Sequence, residues 1–218
     1  MTAPFDPSAI VREGYDRLDG RYRAWVTEML DGPRERFLSE VLRLVPPGSD
    51  VLEVGCGPGT DAVALAEGRR YTGIDLSGVQ LAHARAAVPD GTFVHGDVFD
   101  AELEPASFDV VVALYVFGHI PAARTDELFR RIATWLRPGG WLCASFGTSD
   151  DAGSIEPSWL GVADMYFSSL APERTDALLR STGFQIRSAD SIEETEPGEA
   201  RVTLGWVIAR LEGRDEAG

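Results

Sequence analysis

Apolar residues follow two alternating patterns between residues 50 and 146. Short, nearly continuous apolar runs predict buried strands at 51–55, 71–75, 92–96, 109–115 and 141–146. Amphipathic stretches of helical length lie between most of them, at 60–68, 77–88 and 124–137. Strands that are apolar at nearly every position and alternate with helices are typical of a parallel sheet covered on both faces. This part of the chain is therefore predicted to form a doubly wound α/β fold.

The two ends of the chain follow other patterns. Residues 8–30 and 33–44 predict helices, and Pro33 suits the first turn of the second one. After residue 146 comes a Gly/Ser/Asp-rich segment, then a predicted helix at 172–182 that Gly183 ends. Two final β-like runs, 184–192 and 201–211, are joined by a short segment containing Pro197-Gly198, which predicts an antiparallel hairpin.

A glycine-rich loop follows the first predicted strand. The strand runs into Gly55, Gly57 and Gly59 and then directly into a helix. Glycines in this position let the backbone turn sharply and let a ligand touch the main chain. Such a loop alone is also a common turn between strand and helix, so the next strands decide what it means.

Acidic residues follow the second and third predicted strands. Asp75 lies 20 residues after Gly55 (75 − 55 = 20), and Asp97 follows the third strand. A carboxylate at that distance is placed to accept hydrogen bonds from ribose hydroxyls. Because ligands of open α/β sheets bind at the carboxyl ends of the strands, the loop and both acids predict a site for an adenosine-containing ligand.

The loop composition favours S-adenosylmethionine over NAD. A dinucleotide needs backbone N–H groups for its pyrophosphate, but Pro58 removes one, and Thr60 stands where a third glycine is usual. Glu53 adds negative charge, which suits a ligand with an ammonium and a sulfonium group. An NAD-dependent oxidoreductase and a cofactor-binding protein without turnover remain open as alternatives.

An ordered set of motifs resembles the class I S-adenosylmethionine-dependent methyltransferases, in particular a small bacterial subgroup. The motifs are VLEVGCGPG, GIDLS, GDV, FDVVVALYVFGHIP and LRPGGWL. The resemblance implies a Rossmann-like seven-stranded sheet of order 3-2-1-4-5-7-6 with strand 7 antiparallel. It also implies a single methyltransferase domain over 1–218. We divide it into an N-terminal helical cap (1–45), a cofactor-binding core (46–146), an acceptor-side lid (147–171), and a helix with the C-terminal hairpin (172–218).

The same resemblance implies a set of cofactor contacts for S-adenosylmethionine and its product S-adenosylhomocysteine. Asp75 would bind the ribose, Asp97 would meet the exocyclic amine of adenine, and the loop would hold the amino-acid part. The full expected set is Tyr15, Glu53, Gly55, Cys56, Gly57, Asp75, Leu76, Asp97, Val98, Ala113 and Leu114.

Three residues are candidates for the reacting centre. His119 follows the fourth strand and could accept a proton as a neutral imidazole, or could simply hydrogen-bond the backbone and fix its loop. The resemblance also implies a capping helix in which Tyr15 and Tyr22 approach the methyl group. In the lid, we predict that Met165 and Tyr166 line the acceptor pocket and that Trp159 packs the lid, although each could instead be a packed cover or a dimer contact.

Composition limits the chemistry and the partners. The chain has 20 basic residues, all of them Arg, against 35 acidic ones, for a formal charge of −15. The absence of lysine excludes Schiff-base catalysis and a Walker-type phosphate lysine. The negative field disfavours nucleic acid and anionic membranes as partners, so a small-molecule acceptor is predicted.

Two cysteines and three scattered histidines offer no recognisable metal site, and no apolar run is long enough to span a bilayer. We expect a cytoplasmic monomer or homodimer, without a metal, that transfers a methyl group to an oxygen or nitrogen atom by direct SN2 displacement.

Overall fold

Five parallel strands form the centre of a seven-stranded sheet in the computed structural model, which describes residues 5–28, 32–195 and 201–213. They are β1 (Asp50–Val54), β2 (Arg70–Asp75), β3 (Thr92–His95), β4 (Phe108–Ala113) and β5 (Leu136–Gly147). Two further strands, β6 (Asp151–Trp159) and β7 (Ala163–Ser169), pair only with each other. The last two, β8 (Phe184–Thr195) and β9 (Arg201–Leu211), complete the large sheet.

The strand order is β3-β2-β1-β4-β5-β9-β8. Strand β9 is antiparallel to both β5 and β8. The sixth and seventh strands of this sheet along the chain are β8 and β9, so the expected order 3-2-1-4-5-7-6 with an antiparallel seventh strand is confirmed. The predicted turn at Pro197-Gly198 lies outside the described residues.

Six helices in the described part of the chain surround this sheet. They are α1 (Pro7–Glu28), α2 (Pro33–Leu44), α3 (Ala62–Ala66), α4 (Gly78–Ala87), α5 (Thr125–Trp135) and α6 (Pro172–Ser181). Helix α3 is shorter than predicted, and positions 29 and 30 of the first predicted helix lie outside the described residues.

The core lies on both faces of the sheet, because successive strand residues point to opposite sides. In β4, Val111 joins one cluster with Phe129 of α5, whereas Val110 and Val112 join the other with Leu81 of α4. All five side chains are completely buried. The continuous apolar run from Val110 to Ala113 in β4 therefore follows from the two covered faces.

Helix α1 is bent at Asp19, whose φ of 36° and ψ of −119° interrupt the helical backbone. An L-residue rarely adopts this conformation. The Asp19 side chain forms a hydrogen bond with His83 of α4, with a distance of 2.7 Å from Asp19 Oδ1 to His83 Nε2. The bend divides α1 into two shorter helical arms.

The lid segment 147–171 is mostly a β-hairpin formed by β6 and β7, for which the sequence predicted neither a strand nor a helix. Most of β6 is exposed, so its sequence lacks the apolar alternation that marks a half-buried strand. Strand β7 packs against α1, where Met165 and Tyr166 join Val11 and Leu18 in a third hydrophobic cluster.

The aromatic packing of the sheet core gives a direct test of its contribution to stability. Phe129 is fully buried, with ring centroids 5.2 Å from Phe117 and 5.9 Å from Phe146. We expect Phe129→Ala to lower the free energy of unfolding by about 3–5 kcal/mol, measured by urea denaturation, because a large cavity remains. Val63→Ala, at a side chain that is 57% exposed, should change it by less than about 0.5 kcal/mol. Equal effects of the two substitutions would contradict this account of the core.

Candidate active site

The glycine-rich loop turns sharply at the carboxyl end of β1. Gly55 and Gly57 have φ values of 66° and 52°, in the region that favours glycine. The backbone N–H groups of Gly55 and Cys56 both donate to the Ile74 carbonyl oxygen, at 2.8 and 3.1 Å. A Cβ added at Gly55 would lie only 2.4 Å from Val116 Cγ2. The loop is therefore fixed to the end of β2 and needs glycine to pass beneath Val116.

The Asp75 carboxylate is held by two backbone amides at the end of β2. Gly57 N donates to Asp75 Oδ2 and Ser77 N donates to Asp75 Oδ1, both at 2.8 Å. Burial raises the pKa of Asp75 to about 6, although both hydrogen bonds act in the opposite direction. Each carboxylate oxygen can accept a second hydrogen bond, so this group can bind a pair of ribose hydroxyls.

Asp97 has a corresponding place after β3. Phe99 N donates to Asp97 Oδ1 at 2.9 Å, and the Ser8 hydroxyl of α1 donates to Asp97 Oδ2 at 2.7 Å. The second contact brings the first turn of α1 over the end of the sheet. Asp97 can accept a hydrogen bond from an exocyclic amine, with Val98 and Leu76 beside it in the same wall.

These strand ends surround a first cavity, about 80 Å³ in volume, that we call the cofactor cavity. Ten of the sequence-predicted site residues line it: Tyr15, Tyr22, Gly55, Gly57, Asp75, Leu76, Asp97, Val98, Leu114 and His119. The carboxyl ends of β1, β2 and β4 and helix α1 thus converge on one space, as expected for a ligand site of an open α/β sheet.

Three residues expected to contact the cofactor are not part of this wall. Ala113 is fully buried in the sheet core. Glu53 accepts a short hydrogen bond from the Tyr71 hydroxyl, and burial raises its pKa well above the usual range. The Cys56 thiol lies on the same side of the loop as the Glu53 side chain, next to β2. A Cβ built at Gly73 of β2 would lie only 2.8 Å from the Cys56 sulfur.

Burial also raises the pKa of the Cys56 thiol, with the nearby Glu53 charge as a further cause. A buried thiol in its neutral form is not a nucleophile. The side chains of Glu53 and Cys56 therefore support the loop from beneath instead of facing the cavity.

His119 forms a defined pair with Tyr15. Its Nδ1 lies 2.9 Å from the Tyr166 carbonyl oxygen and its Nε2 lies 2.7 Å from the Tyr15 hydroxyl. A carbonyl oxygen only accepts, so Nδ1 carries the proton and Tyr15 donates to the lone pair of Nε2. Burial lowers the pKa of His119 to about 4, which keeps the imidazole neutral at neutral pH.

A second cavity of about 460 Å³ adjoins the first, and we call it the acceptor cavity. Tyr15, Tyr22, Tyr115 and His119 line both cavities and form the wall between them. The remainder of the acceptor cavity is formed mainly by aromatic rings from α1 and the hairpin and by small hydroxyl side chains near the end of β5.

The hairpin residues take different places around this cavity. Trp159 lines it, and so does Phe167, which the sequence analysis did not select. Met165 and Tyr166 pack instead against α1 in the third hydrophobic cluster, and neither is in the described wall. A Cβ at Gly14 would lie 2.6 Å from Met165 Cε, so the hairpin approaches α1 very closely here.

Several site residues on α1 and α4 were missed by the sequence analysis. Asp16 Oδ1 accepts a hydrogen bond of 2.6 Å from the Ser77 hydroxyl, and Gln80 Nε2 donates to the Tyr15 carbonyl oxygen at 3.0 Å. Gln80 also lines the cofactor cavity, and within the described chain its buried Oε1 has no hydrogen-bond partner. Of these residues, only Asp16 could have been found from the sequence, because it directly follows Tyr15 of the expected capping helix.

Comparison with known proteins adds independent evidence. Residues 51–140 match the family described as "Methyltransferase domain". An O-methyltransferase of Pyrenophora dematioidea is 32% identical over 219 aligned positions, covering 88% of this chain and 81% of that one. The chain belongs to the S-adenosylmethionine-dependent methyltransferase family.

Other relatives extend the comparison. A trans-aconitate 2-methyltransferase of Paracidovorax citrulli is 30% identical, covering 76% of this chain and 74% of that one. The alignment with one further curated relative spans only 36% of that protein's length. The solved DhpI complex with S-adenosylhomocysteine has the same fold, with a TM-score of 0.76 and 20% identity over 95% of this chain and 98% of that one.

Family membership decides between the cofactors that the sequence left open. The protein is an S-adenosylmethionine-dependent methyltransferase, not an NAD-dependent oxidoreductase. The residues around the cavity suit this cofactor by their chemistry, because a glycine bend, an amide-oriented carboxylate and a second carboxylate surround one space. Within the described ranges, no helix has the length and apolar character that crossing a bilayer requires.

The raised pKa of Asp75 predicts a pH-dependent affinity for S-adenosylhomocysteine. The ionised carboxylate accepts the ribose hydroxyls, so a protonated Asp75 must first lose its proton. As pH falls through about 6 the affinity should decline, approaching tenfold per pH unit below the pKa, and it should level off above it. Calorimetric titration between about pH 5 and pH 8 measures this. Asp75→Asn should bind weakly at every pH, and exposed Asp190→Asn should keep the wild-type profile. A flat wild-type profile would remove Asp75 from the cofactor contact.

The glycine at position 55 provides a steric test. Gly55→Ala adds a Cβ 2.4 Å from Val116 Cγ2 at a φ of 66°, so either the loop or Val116 must shift. We expect a loss of about 1–3 kcal/mol of stability together with weaker S-adenosylhomocysteine binding, measured by thermal melting with and without ligand. Gly205→Ala is the matched control, because the nearest atom to its Cβ would be 3.9 Å away. A fully active Gly55→Ala enzyme would contradict the assigned loop geometry.

Proposed function

We propose that this methyltransferase moves the methyl group of S-adenosylmethionine directly onto an oxygen or nitrogen atom of a small-molecule acceptor. The observation that carries this proposal is the wall common to the two cavities, formed by Tyr15, Tyr22, Tyr115 and His119. A cofactor in the first cavity and an acceptor in the second would meet at this wall. The chemistry would then take place beside the Tyr15–His119 pair.

The residues of the cofactor cavity have separate roles in this proposal. Asp75 accepts the ribose hydroxyls while the Gly57 and Ser77 amides hold it in place. Asp97 meets the adenine amine, and the bend at Gly55 leaves room for the amino-acid part. Gln80 lines the same cavity and donates through Nε2 to the Tyr15 carbonyl oxygen, which ties the cavity wall to α1.

S-adenosylmethionine, when bound, supplies a methyl group that its sulfonium already activates for displacement. The protein therefore mainly positions the acceptor and excludes water, which can contribute about 7–11 kcal/mol to lowering the barrier. The rings of Tyr15 and Tyr22, whose centroids are 4.7 Å apart, serve this purpose from α1.

The Tyr15–His119 pair can remove the proton that a hydroxyl or amine acceptor must lose. Tyr15 can pass this proton to His119 Nε2 as the acceptor atom bonds to the methyl carbon, and the imidazolium then releases it to solvent. Because the Nδ1 proton of His119 is bound to the Tyr166 carbonyl, the lone pair that can receive this proton is on Nε2, next to Tyr15.

The size of the acceptor cavity supports a small acceptor. About 460 Å³ is within the range of ordinary small-molecule sites, about 300–1,000 Å³. The net charge of −15 also disfavours a nucleic acid. Two relatives are named an O-methyltransferase and a trans-aconitate 2-methyltransferase, and these names support transfer to an oxygen atom of a metabolite.

Removal of the proposed base tests this mechanism. Once an acceptor screen that monitors S-adenosylhomocysteine release has found a substrate, Tyr15→Phe and His119→Gln should each lower kcat by roughly 10²–10⁴-fold. S-adenosylhomocysteine affinity should change much less, because the phenyl ring at position 15 remains in place.

The matched control is Tyr166→Phe, which removes a tyrosine hydroxyl whose contact is a long hydrogen bond of 3.4 Å to the Ala152 carbonyl. It should leave kcat within about twofold, because Tyr166 lines neither cavity and the hydrogen bond that its hydroxyl loses is long. If Tyr15→Phe and Tyr166→Phe had the same kcat, the pair would have no part in proton transfer. If no compound released S-adenosylhomocysteine in a broad screen, small-molecule methylation would itself be in error.

A further inference from the structure

The acceptor cavity presents flat aromatic surfaces from two elements. The ring of Trp159 on the hairpin lies 5.8 Å from that of Trp25 on α1 and 5.6 Å from that of Phe167. Tyr22 stacks on Trp25 at a centroid distance of 5.9 Å with planes inclined by 21°. Walls of this kind bind planar rings through burial and stacking.

The described wall of this cavity contains no arginine, and its histidine, His119, is neutral, so it offers no cation to neutralise an anion. The chain has no lysine. All of its arginines except Arg214 lie in the described part, and none of these lines the acceptor cavity. Arg174 and Arg201, on neighbouring elements, are ion-paired with Asp150 and Glu193, at 2.6 and 3.0 Å.

The charged residue in the wall is Asp151, at the start of β6. A carboxylate or phosphate on the acceptor would therefore lose hydration without gaining a cation and would face this acid. The cavity accordingly disfavours anionic acceptors.

The polar groups of the cavity suit a neutral compound with oxygen atoms. Ser145, Thr148 and Thr203 contribute hydroxyls near the end of β5. Such hydroxyls can donate to, or accept from, the oxygen atoms of an uncharged ligand.

The reacting group follows from the chemistry beside His119. An uncharged amine attacks with its own lone pair, and an ammonium has no lone pair to attack with. A hydroxyl is a weak nucleophile unless a neighbouring base takes its proton. The hydrogen-bonded Tyr15 and His119 provide that base, so they favour a hydroxyl as the methylated group.

We propose that the acceptor is an uncharged, planar aromatic compound whose hydroxyl is methylated. Its ring would lie against Trp159 and Phe167, and its hydroxyl would point to Tyr15. This inference rests on the proposed function, because it assigns the second cavity to the acceptor. It separates this protein from relatives named for a tricarboxylate substrate.

Three phenols of similar size test the charge preference: 4-ethylphenol, tyramine and 4-hydroxyphenylacetate. They have the same ring and hydroxyl but a neutral, cationic or anionic substituent. Their binding is measured by calorimetry on the protein saturated with S-adenosylhomocysteine, so the readout requires no turnover. We expect 4-ethylphenol to bind at least about tenfold more tightly than 4-hydroxyphenylacetate, and trans-aconitate not to bind.

Two variants test which side chains of the cavity cause the expected differences in phenol affinity. Asp151→Asn should reduce the preference for 4-ethylphenol over 4-hydroxyphenylacetate, because it removes the repelling charge. Trp159→Leu should weaken 4-ethylphenol binding roughly tenfold, whereas Ile155→Ala at an exposed position of the same hairpin should not. Retained S-adenosylhomocysteine binding shows that each variant is folded.

The outcomes separate this inference from the function on which it rests. If none of the phenols bound, or if the anionic one bound as tightly as the neutral one, the acceptor class would be overturned. Methyl transfer to trans-aconitate would overturn it as well, while leaving small-molecule methylation intact. Phenol binding with no methyl transfer under any condition would contradict the proposed function instead.

Discussion

The hydrogen bond from the Gly57 amide to the Asp75 carboxylate connects the two parts of the cofactor cavity. It links the glycine loop after β1 to the end of β2, and the Ile74 carbonyl strengthens the same link by accepting from two loop amides. A buried carboxylate is costly unless such donors surround it. The loop needs Asp75 for its shape, and Asp75 needs the loop to remain oriented within a buried site.

Helix α1 is the element that makes both cavities. In its first arm, Ser8 forms a hydrogen bond with Asp97, and Tyr15 forms one with His119. The bend at Asp19 redirects the second arm, so that Tyr22 and Trp25 face the acceptor side. The strained backbone at Asp19 thus lies between Tyr15 and Tyr22, which both line the two cavities.

Contacts on two sides hold α1 in place. On the sheet side, Asp16 binds Ser77 and Gln80 binds the Tyr15 carbonyl. On the other side, Met165 of the hairpin packs closely on Gly14. The position of the aromatic wall is therefore set jointly by α4 and by the hairpin.

The sheet and the loop were predictable because their signals are local. Strands buried on both faces are apolar throughout, and a glycine bend followed by spaced acids is visible in the sequence alone. The motif could not show which way its side chains point. Glu53 and Cys56 are part of the motif, yet they face the buried side of the loop, beneath the cavity.

The hairpin was less predictable, because β6 is mostly exposed and depends on β7 and α1 for its position. Tertiary packing decides which face of β7 meets α1. Because the side chains of neighbouring strand residues point to opposite faces, the sequence alone does not show which of them reach the cavity. The sequence therefore identified the aromatic content of the lid, but Phe167 and not Tyr166 reaches the cavity wall.

The Tyr166 carbonyl gives the hairpin an influence on acid–base chemistry that its side chains do not have. This main-chain oxygen fixes which ring nitrogen of His119 keeps its hydrogen, at 2.9 Å from Nδ1. If β7 moved away, the imidazole could take the other tautomer, and Nε2 would become a donor facing Tyr15. The position of β7 thereby determines the tautomer of His119 and the direction of its hydrogen bond with Tyr15.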